Sequence, residues 1–212
     1  MDFSDYRQTY NKGELPDTGL PNEPISWFKS WLNDALNANI VEPYTFSLAT
    51  CGADYLPSVR ILLLREAIDN GIIFYTNYDS DKGQDLAENP NAEALFFWHD
   101  LERQVRIQGT VRKLDSAVSD AYFAKRPLES QLGAWVSNPQ SGTIADRTAI
   151  EARLAKLTAH YQDKPIPRPD YWGGYELIAT RVEFWQGRIG RLHDRIVYTQ
   201  GVDGWQTTRL LP

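Results

Sequence analysis

Short β-strand patterns joined by tight turns fill most of the middle and the end of this 212-residue chain. The series runs through "YTFSLAT", "PSVRILLL", "IIFYTN", "EALFFWH" and "ERQVRIQGTVRKL", and resumes with "YELIATRVEFW", "HDRIVYTQ" and "GWQTTRLL". Turn sequences such as "CGAD", "DNG" and "GVDG" separate neighbouring strands. Strands linked this closely pair antiparallel, because a parallel pair needs a long crossover connection. The pattern therefore predicts a mainly antiparallel β-barrel.

Helical patterns precede and interrupt these strands. Pro24 suits the first turn of a helix, and the apolar residues that follow it at helical spacing are Phe28, Trp31, Leu32, Ala35 and Leu36. Two short helices, "SAVSDAYFAKR" and "LESQLGAWV", are separated at Pro127. A longer amphipathic helix over about residues 146 to 161 is marked by Ile150, Leu154, Leu157 and Tyr161. We expect a mainly β, α+β fold with helices inserted and packed outside the barrel.

The N-terminal sequence and the composition indicate the domain organisation of the chain, its location in the cell and the partners that it disfavours. Residues 1–20 are polar and lack periodicity, so we expect a flexible arm with room for one helical turn around "DYRQTY", then a single domain over residues 21–212. With Cys51 the only cysteine and no secretory signal, the expected location is the cytoplasm. No apolar run approaches the roughly 18 residues of a membrane span. A net charge of −6 disfavours nucleic acid or an anionic membrane as partner.

Signatures of hydrolysis by a nucleophile or a metal are missing from the sequence. It contains no GxSxG, P-loop, HExxH or CxxC motif, and His99, His160 and His193 lie too far apart to suggest a local metal site. We therefore expect no metal. A borrowed organic cofactor is the remaining route to difficult chemistry.

The stretch "RILLLR" places two arginines on a barrel strand. Strand alternation puts Arg60, Leu62 and Leu64 on one face, and Ile61, Leu63 and Arg65 on the other. A guanidinium among leucines is costly to bury without an anion. Either both arginines lie at the rims of the barrel, or at least one of them meets a phosphate or a carboxylate.

Two helix starts could bind phosphate. In "SDK" the predicted N-cap is Ser80, and Asp81 and Lys82 follow in the first turn. Asp81 favours an ordinary capped helix, because it satisfies the helix dipole itself. In "YFAKRPLESQ", Tyr122 and Arg126 are four apart on one helix face, and Ser130 begins the next helix. That corner is equally well explained as a second phosphate site or as plain surface.

Taken in order, several segments resemble one family. They are "RILLLR", "FYTN" followed by "SDK", "WHDLERQVRIQG", "RPLESQLGAWVS", "YWGGYELIATRVEFWQG", "RLHDR" and "RLLP" over residues 57–212, with a weaker match, "YRQTY", in the arm. This ordered set is similar to the pyridoxamine 5′-phosphate oxidase family, whose members are FMN-dependent, dimeric split barrels. The pair "EFWQG" and "RLHDR" is its most specific part.

The resemblance implies FMN bound at the interface of a homodimer. The positions that match the family's cofactor contacts are Arg60, Ile61, Leu62, Leu63, Leu64, Arg65, Tyr75, Thr76, Lys82, Gln104, Gln140, Ser141, Trp185 and Arg195. It also implies a vitamin B6 5′-phosphate stacked on the flavin, with its phosphate held by Arg65, Tyr122, Arg126 and Ser130. Arg7 and Tyr10 match arm residues that close over this substrate.

The reaction that the resemblance implies oxidises C4′ of pyridoxine or pyridoxamine 5′-phosphate to the aldehyde of pyridoxal 5′-phosphate, with dioxygen reduced to hydrogen peroxide. Arg191 and His193 would orient C4′ and handle its proton, since imidazole exchanges protons near neutral pH. Which of the two accepts the proton stays open. As a strand, "RLHDR" would turn Arg191, His193 and Arg195 to one side, toward flavin and substrate.

Two departures from the family pattern affect the expected affinities. Arg65 stands where the family usually has lysine, so the substrate geometry can shift. Asp81 stands where the family usually has arginine, and an exposed contact of this kind is worth about 1 kcal/mol, so FMN binding should be weaker but not lost.

Two alternative functions remain. One is an FMN oxidase of another planar anion, such as a phenazine precursor, which the change at Arg65 keeps open. The other is a non-enzymatic flavin- or pyridoxal-phosphate-binding split barrel. Both are disfavoured by the joint presence of Arg191 and His193 with the second phosphate site, because a flavin carrier has no use for that site.

Overall fold

The computed structural model describes residues 1–5 and 8–212. Its strands are β1 (Thr45–Cys51), β2 (Pro57–Leu63), β3 (Glu66–Ile68), β4 (Gly71–Asn77), β5 (Asn91–Trp98), β6 (Arg103–Lys113), β7 (Trp172–Gln186), β8 (Asp194–Gly201) and β9 (Gly204–Leu210). The helices are α1 (Pro24–Asn37), α2 (Asp81–Glu88), α3 (Ser116–Ala124), α4 (Leu128–Val136) and α5 (Arg147–His160). Short 3₁₀ turns lie at His99–Leu101 and Ile189–Arg191.

Within residues 1–5 and 8–212, all strand pairs are antiparallel and nine strands form one sheet. Its main path is β2-β1-β5-β6-β7-β4-β3, and β8 joins β7 to β9. The long strand β7 pairs with β4 over residues 172–178 and with β8 over residues 181–186. The sheet thus divides along β7, which confirms the predicted antiparallel split barrel. Only β3, three residues long, was not predicted.

Helix α1 supplies the aromatic centre of the core. It begins at Pro24 as predicted, and the ring of Phe28 packs 4.7 Å from that of Phe96. Trp27 stacks on Phe184 at 4.1 Å between ring centroids. Leu36, expected on the packed face, is 49% exposed because it lies in the last turn of the helix, on its outer side.

Helix α5 forms where it was predicted, but no residue in it is buried. Leu154, on its apolar face, is 40% exposed. With Leu128 and Leu132 of α4, this face lines an open groove. The predicted helix is therefore present, but the packed apolar face that its periodicity suggested is not buried in the single chain.

Part of the N-terminal arm is fixed to the barrel. The backbone N–H of Lys12 donates to Glu102, and that of Leu15 donates to Asp194 at 3.0 Å. Leu15 is buried, so this stretch is packed and not free. Residues 8–10 are not helical, and the rest of the predicted helical turn, with Arg7, lies outside the described residues. No helix in the described part of the chain is long and apolar enough to cross a membrane.

Candidate functional site

The first cluster of predicted site residues lies at the start of α2. Ser80 caps the helix as expected, with its Oγ accepting from the N–H of Gly83. The ammonium group of Lys82 donates to Ser80 Oγ at 3.0 Å and to Gln140 Oε1 at 3.4 Å. The N–H of Asp81 donates to Ser141 Oγ at 3.3 Å. The structure thus brings Lys82, Gln140 and Ser141 together.

Arg60 adds a second cation to this cluster. Its guanidinium donates to Thr50 Oγ1 and to Ser58 Oγ, both at 2.6 Å, and lies 3.8 Å from a carboxylate oxygen of Asp85. Burial, and then the positive charge of Arg60, lower the pKa of Lys82 below its ordinary value. Two half-buried cations that destabilise each other create a site that favours a phosphate.

The predicted strand alternation holds from Arg60 to Leu62, but β2 ends at Leu63, so Leu64 and Arg65 lie just beyond the strand. Leu64 is buried, whereas Ile61 is 62% exposed and Arg65 is also exposed. Arg60 and Arg65 therefore serve different surroundings. Leu62 packs against the barrel core, and Leu63 is half-buried.

A second cluster is built from stacked aromatic rings. Tyr75 on β4 stacks on Tyr122 at 3.8 Å between ring centroids, and Trp172 lies parallel to both. The guanidinium of Arg126 lies over the Trp172 ring, 4.4 Å from its centroid. Thr76, the next residue on β4, is buried.

Arg126 carries an unsatisfied donor. Its Nη1 atom is buried and has no hydrogen-bond partner among the described residues. Burial lowers the pKa of Arg126, Tyr122 opposes the shift, and the nearby charge of Arg65 lowers the pKa further. A buried donor of this kind costs about 1–3 kcal/mol unless a ligand satisfies it. The residues present thus fit a second anion.

The geometry at this corner differs from the prediction in one respect. Helix α3 ends at Ala124, so Arg126 does not share a helix face with Tyr122. It lies in the connection to α4, because Pro127 disfavours helical backbone in the residue before it. Trp172 brings the two side chains together instead, and Ser130 lies in the first turn of α4. Trp172 was not among the predicted site residues.

A third cluster surrounds His193. Its ring centroid lies 4.7 Å from that of Trp185 and 5.8 Å from that of Tyr10. Gln104 and Arg195 are the strand neighbours of Trp185 on either side. A Cβ atom placed on Gly187 would lie 2.8 Å from the Tyr10 ring, so only glycine allows the arm to approach this closely.

The predicted alternation through "RLHDR" is wrong for its first half. Arg191 ends the 3₁₀ turn with a φ of 62°, and β8 begins only at Asp194. Gly190, which also has a positive φ, allows this turn. Arg191 is exposed and has no hydrogen-bond partner within the described ranges. His193 is half-buried and accepts a hydrogen bond at Nδ1 from the N–H of Arg188, 3.1 Å away.

Arg195 is held by a buried carboxylate that sequence analysis missed. Glu183 is 1% exposed, accepts from Arg195 Nε at 2.8 Å and from Arg181 at 3.1 Å, and lies 3.6 Å from Arg106. Burial alone would raise the pKa of Glu183, but the hydrogen bond and charge of Arg195, with the other arginines, lower it below its ordinary value. Glu183 therefore stays ionised and orients Arg195.

The three clusters do not form one site in a single chain. Tyr75 and Tyr122 belong to the second cluster, whereas Gln104, Trp185 and Arg195 belong to the third. In the part of the chain that the structure describes, no hydrogen bond, ion pair or ring contact joins the third cluster to the other two.

Comparisons with known proteins agree with these features. A family model described as pyridoxamine 5′-phosphate oxidase matches residues 32–161. A second, described as the pyridoxine 5′-phosphate oxidase C-terminal dimerisation region, matches residues 172–212.

Individual proteins match over their full length. A pyridoxine/pyridoxamine 5′-phosphate oxidase from Psychrobacter sp. (strain PRwf-1) is 55% identical, with 100% of both chains covered. One of the same name from Thermosynechococcus vestitus is 48% identical, with 99% of each covered. The solved structure of PhzG from Burkholderia lata 383, in complex with tetrahydrophenazine-1-carboxylic acid, is 32% identical with a TM-score of 0.88, over 95% of this chain and 100% of that one. On both the family models and the full-length identities, this chain belongs to the pyridoxamine 5′-phosphate oxidase family.

Proposed function

We propose that this chain is an FMN-dependent oxidase that converts pyridoxine or pyridoxamine 5′-phosphate to pyridoxal 5′-phosphate, with dioxygen as the electron acceptor and hydrogen peroxide as product. The observation that carries the proposal is the buried, unpartnered Nη1 of Arg126 over Trp172. It provides an anion site separate from the cation pair at the start of α2. One site suits the phosphate of the cofactor and the other suits that of the substrate.

The cofactor's phosphate would be held by Arg60, Lys82, Gln140 and Ser141. Lys82 and Arg60 supply charge, and the backbone at the start of α2 contributes the positive end of the helix dipole. Asp81 is exposed, and its charge acts on both cations, so it competes with the phosphate. FMN, when bound, supplies the two-electron oxidant that accepts a hydride from C4′.

The substrate's phosphate would be held by Arg126, with Arg65, Tyr122 and Ser130 around it. Arg126 needs an acceptor in this surrounding, and a phosphate oxygen satisfies the free Nη1. Arg65 is exposed and close enough to add a second positive charge. Together, Arg126 and Arg65 favour a substrate that carries a phosphate over an unphosphorylated pyridine.

The C4′ end of the substrate would meet Arg191 and His193. Trp185 and Tyr10 limit the positions that the His193 ring can adopt. Arg7, the other arm residue implied by the resemblance, lies outside the described residues. Tyr10 packs beside His193 at this end of the site, 5.8 Å away between ring centroids.

We further propose that FMN binds between two copies of the chain. The third cluster lies apart from the first two, and all three contain positions that match cofactor contacts of the family. In such a dimer, Gln104, Trp185 and Arg195 of one copy would lie beside the phosphate-binding residues of the other copy. The match of residues 172–212 to a dimerisation region supports this arrangement.

The second candidate, oxidation of a planar carboxylate such as a reduced phenazine, is suggested by the likeness to PhzG. Residues Tyr122, Arg126 and Trp172 favour the phosphate ester, because they build an anion site that lies apart from the third cluster.

The test is turnover in air by the FMN-loaded protein. With pyridoxine 5′-phosphate, we expect one pyridoxal 5′-phosphate and one hydrogen peroxide for each dioxygen consumed. Turnover of tetrahydrophenazine-1-carboxylic acid, and of neither B6 phosphate, would replace the proposal with the second candidate. Loss of all turnover despite bound FMN would support the carrier role.

A further inference from the structure

His193 has only one nitrogen available to a ligand. The backbone N–H of Arg188 donates to Nδ1 at 3.1 Å, so the lone pair of Nδ1 is already in use. A neutral imidazole carries one proton, and the nitrogen that accepts a hydrogen bond is the one without it. The proton of neutral His193 is therefore on Nε2.

Two aromatic rings, which also contact each other at 5.9 Å between centroids, pack against the imidazole of His193. Trp185 packs at 4.7 Å and Tyr10 at 5.8 Å between ring centroids, which opposes rotation. A flipped ring would turn a carbon toward the N–H of Arg188 and leave that donor unpaired. Arg188 is itself anchored, since its guanidinium donates to Glu14 at 2.7 Å and lies 3.6 Å from Asp194.

We propose that His193 is held as the Nε2–H tautomer and acts on the substrate as a hydrogen-bond donor, not as the base that removes its proton. This inference rests on the proposed function for the identity of the substrate. An Nε2–H group can donate to the oxygen or nitrogen on C4′ or to a neighbouring ring substituent. It has no free lone pair with which to accept a proton.

The same reasoning excludes Arg191 as the base. A guanidinium has donors only, and it stays protonated in proteins. The proton that leaves the C4′ alcohol or amine therefore passes to water, while Arg191 and His193 orient the group that loses it. The backbone N–H of Arg188 becomes a positioning group for the reaction.

The tautomer can be measured directly in the FMN-loaded protein. Two-bond ¹H–¹⁵N spectra distinguish protonated from unprotonated ring nitrogens, and the chain has three histidines to assign. The variants His99→Gln and His160→Gln, at exposed positions, identify the other two signals. We expect Nε2 protonated and Nδ1 unprotonated for His193. A proton on Nδ1, or exchange between both tautomers, would overturn the proposal.

A side-chain series tests the role in turnover. Glutamine places an N–H donor near the position of Nε2, asparagine places an acceptor near Nδ1, and alanine removes both. We expect His193→Ala and His193→Asn to lower kcat/KM roughly tenfold to hundredfold, and His193→Gln to recover a large part of the loss. If glutamine is no better than alanine, His193 is not a donor.

The two claims fail separately. Absence of turnover in the wild-type protein would refute the proposed function, while the spectra would still report the tautomer. Turnover with Nδ1 protonated would refute only the role of His193.

Discussion

Replacing Arg126 by methionine should remove recognition of the substrate's phosphate. Arg126→Met keeps the aliphatic part of the side chain and deletes the charged guanidinium over Trp172, with its unpartnered Nη1. A hydrogen bond to a charged group contributes about 1.5–3 kcal/mol. We therefore expect kcat/KM for pyridoxine 5′-phosphate to fall roughly tenfold to hundredfold.

The stability of the ligand-free protein should change little in the same variant. The unsatisfied donor costs about 1–3 kcal/mol, and the contact of a cation with an aromatic ring contributes about 0.5–2 kcal/mol. These contributions oppose each other when Arg126 is removed. We expect the free energy of unfolding to change by less than about 1 kcal/mol.

Arg103 offers a matched control. Its guanidinium lies over Trp31 at 4.5 Å, but its Nη1 donates to Asp34 at 2.7 Å and its Nε donates to Gln186 at 3.0 Å. Arg103→Met leaves the buried amide oxygen of Gln186 without that donor, so it should destabilise the fold by about 1–3 kcal/mol.

The assay compares kcat/KM for pyridoxine 5′-phosphate with that for unphosphorylated pyridoxine. Arg126→Met should lower the ratio of the two, and Arg103→Met should leave it as in the wild type. If Arg126→Met lowers both values equally, or neither, the assignment of Arg126 to the phosphate is wrong.

Three further predictions concern the cofactor and the arm. Asp81→Arg should tighten FMN binding by about 1 kcal/mol, or roughly fivefold, in a fluorescence titration; unchanged affinity would show that Asp81 does not act on the phosphate. Because burial and Arg60 lower the pKa of Lys82, FMN affinity should fall as the pH rises toward 10.5, since the bound phosphate favours the protonated amine. Titrations of Lys82→Arg should lack this loss. Gly187→Ala should raise the KM for the B6 phosphate by displacing Tyr10, whereas an unchanged KM would mean that the arm does not cover the substrate.

The sheet was predictable from the sequence because its signals are local. Alternating apolar residues and turn sequences such as "GVDG" fix strands and hairpins within a few residues of each other. The strand β3, with three residues, is too short to show alternation. Helix α5 was predicted from its period, but whether another surface covers it depends on contacts that the sequence does not show.

The site was predictable only in its parts. Ser80 and Lys82 are neighbours in sequence, and the N-cap pattern locates them. In contrast, the stack of Tyr75, Tyr122 and Trp172 joins three distant segments, and only the folded chain brings them together.

Two of the wrong predictions could have been avoided from the sequence alone. Pro127 disfavours a helical Arg126, and Gly190 favours a turn ahead of His193. The role of Glu183 had no such signal, because its arginine partners come from three different strands.

The most direct test of the central claim is reduction of bound FMN without oxygen. The FMN-loaded protein is mixed anaerobically with pyridoxine 5′-phosphate, with unphosphorylated pyridoxine as control, and the absorbance of oxidised flavin is followed. We expect rapid bleaching with the phosphate ester and little with the control. Bound flavin that neither pyridoxine nor pyridoxamine 5′-phosphate reduces would contradict it.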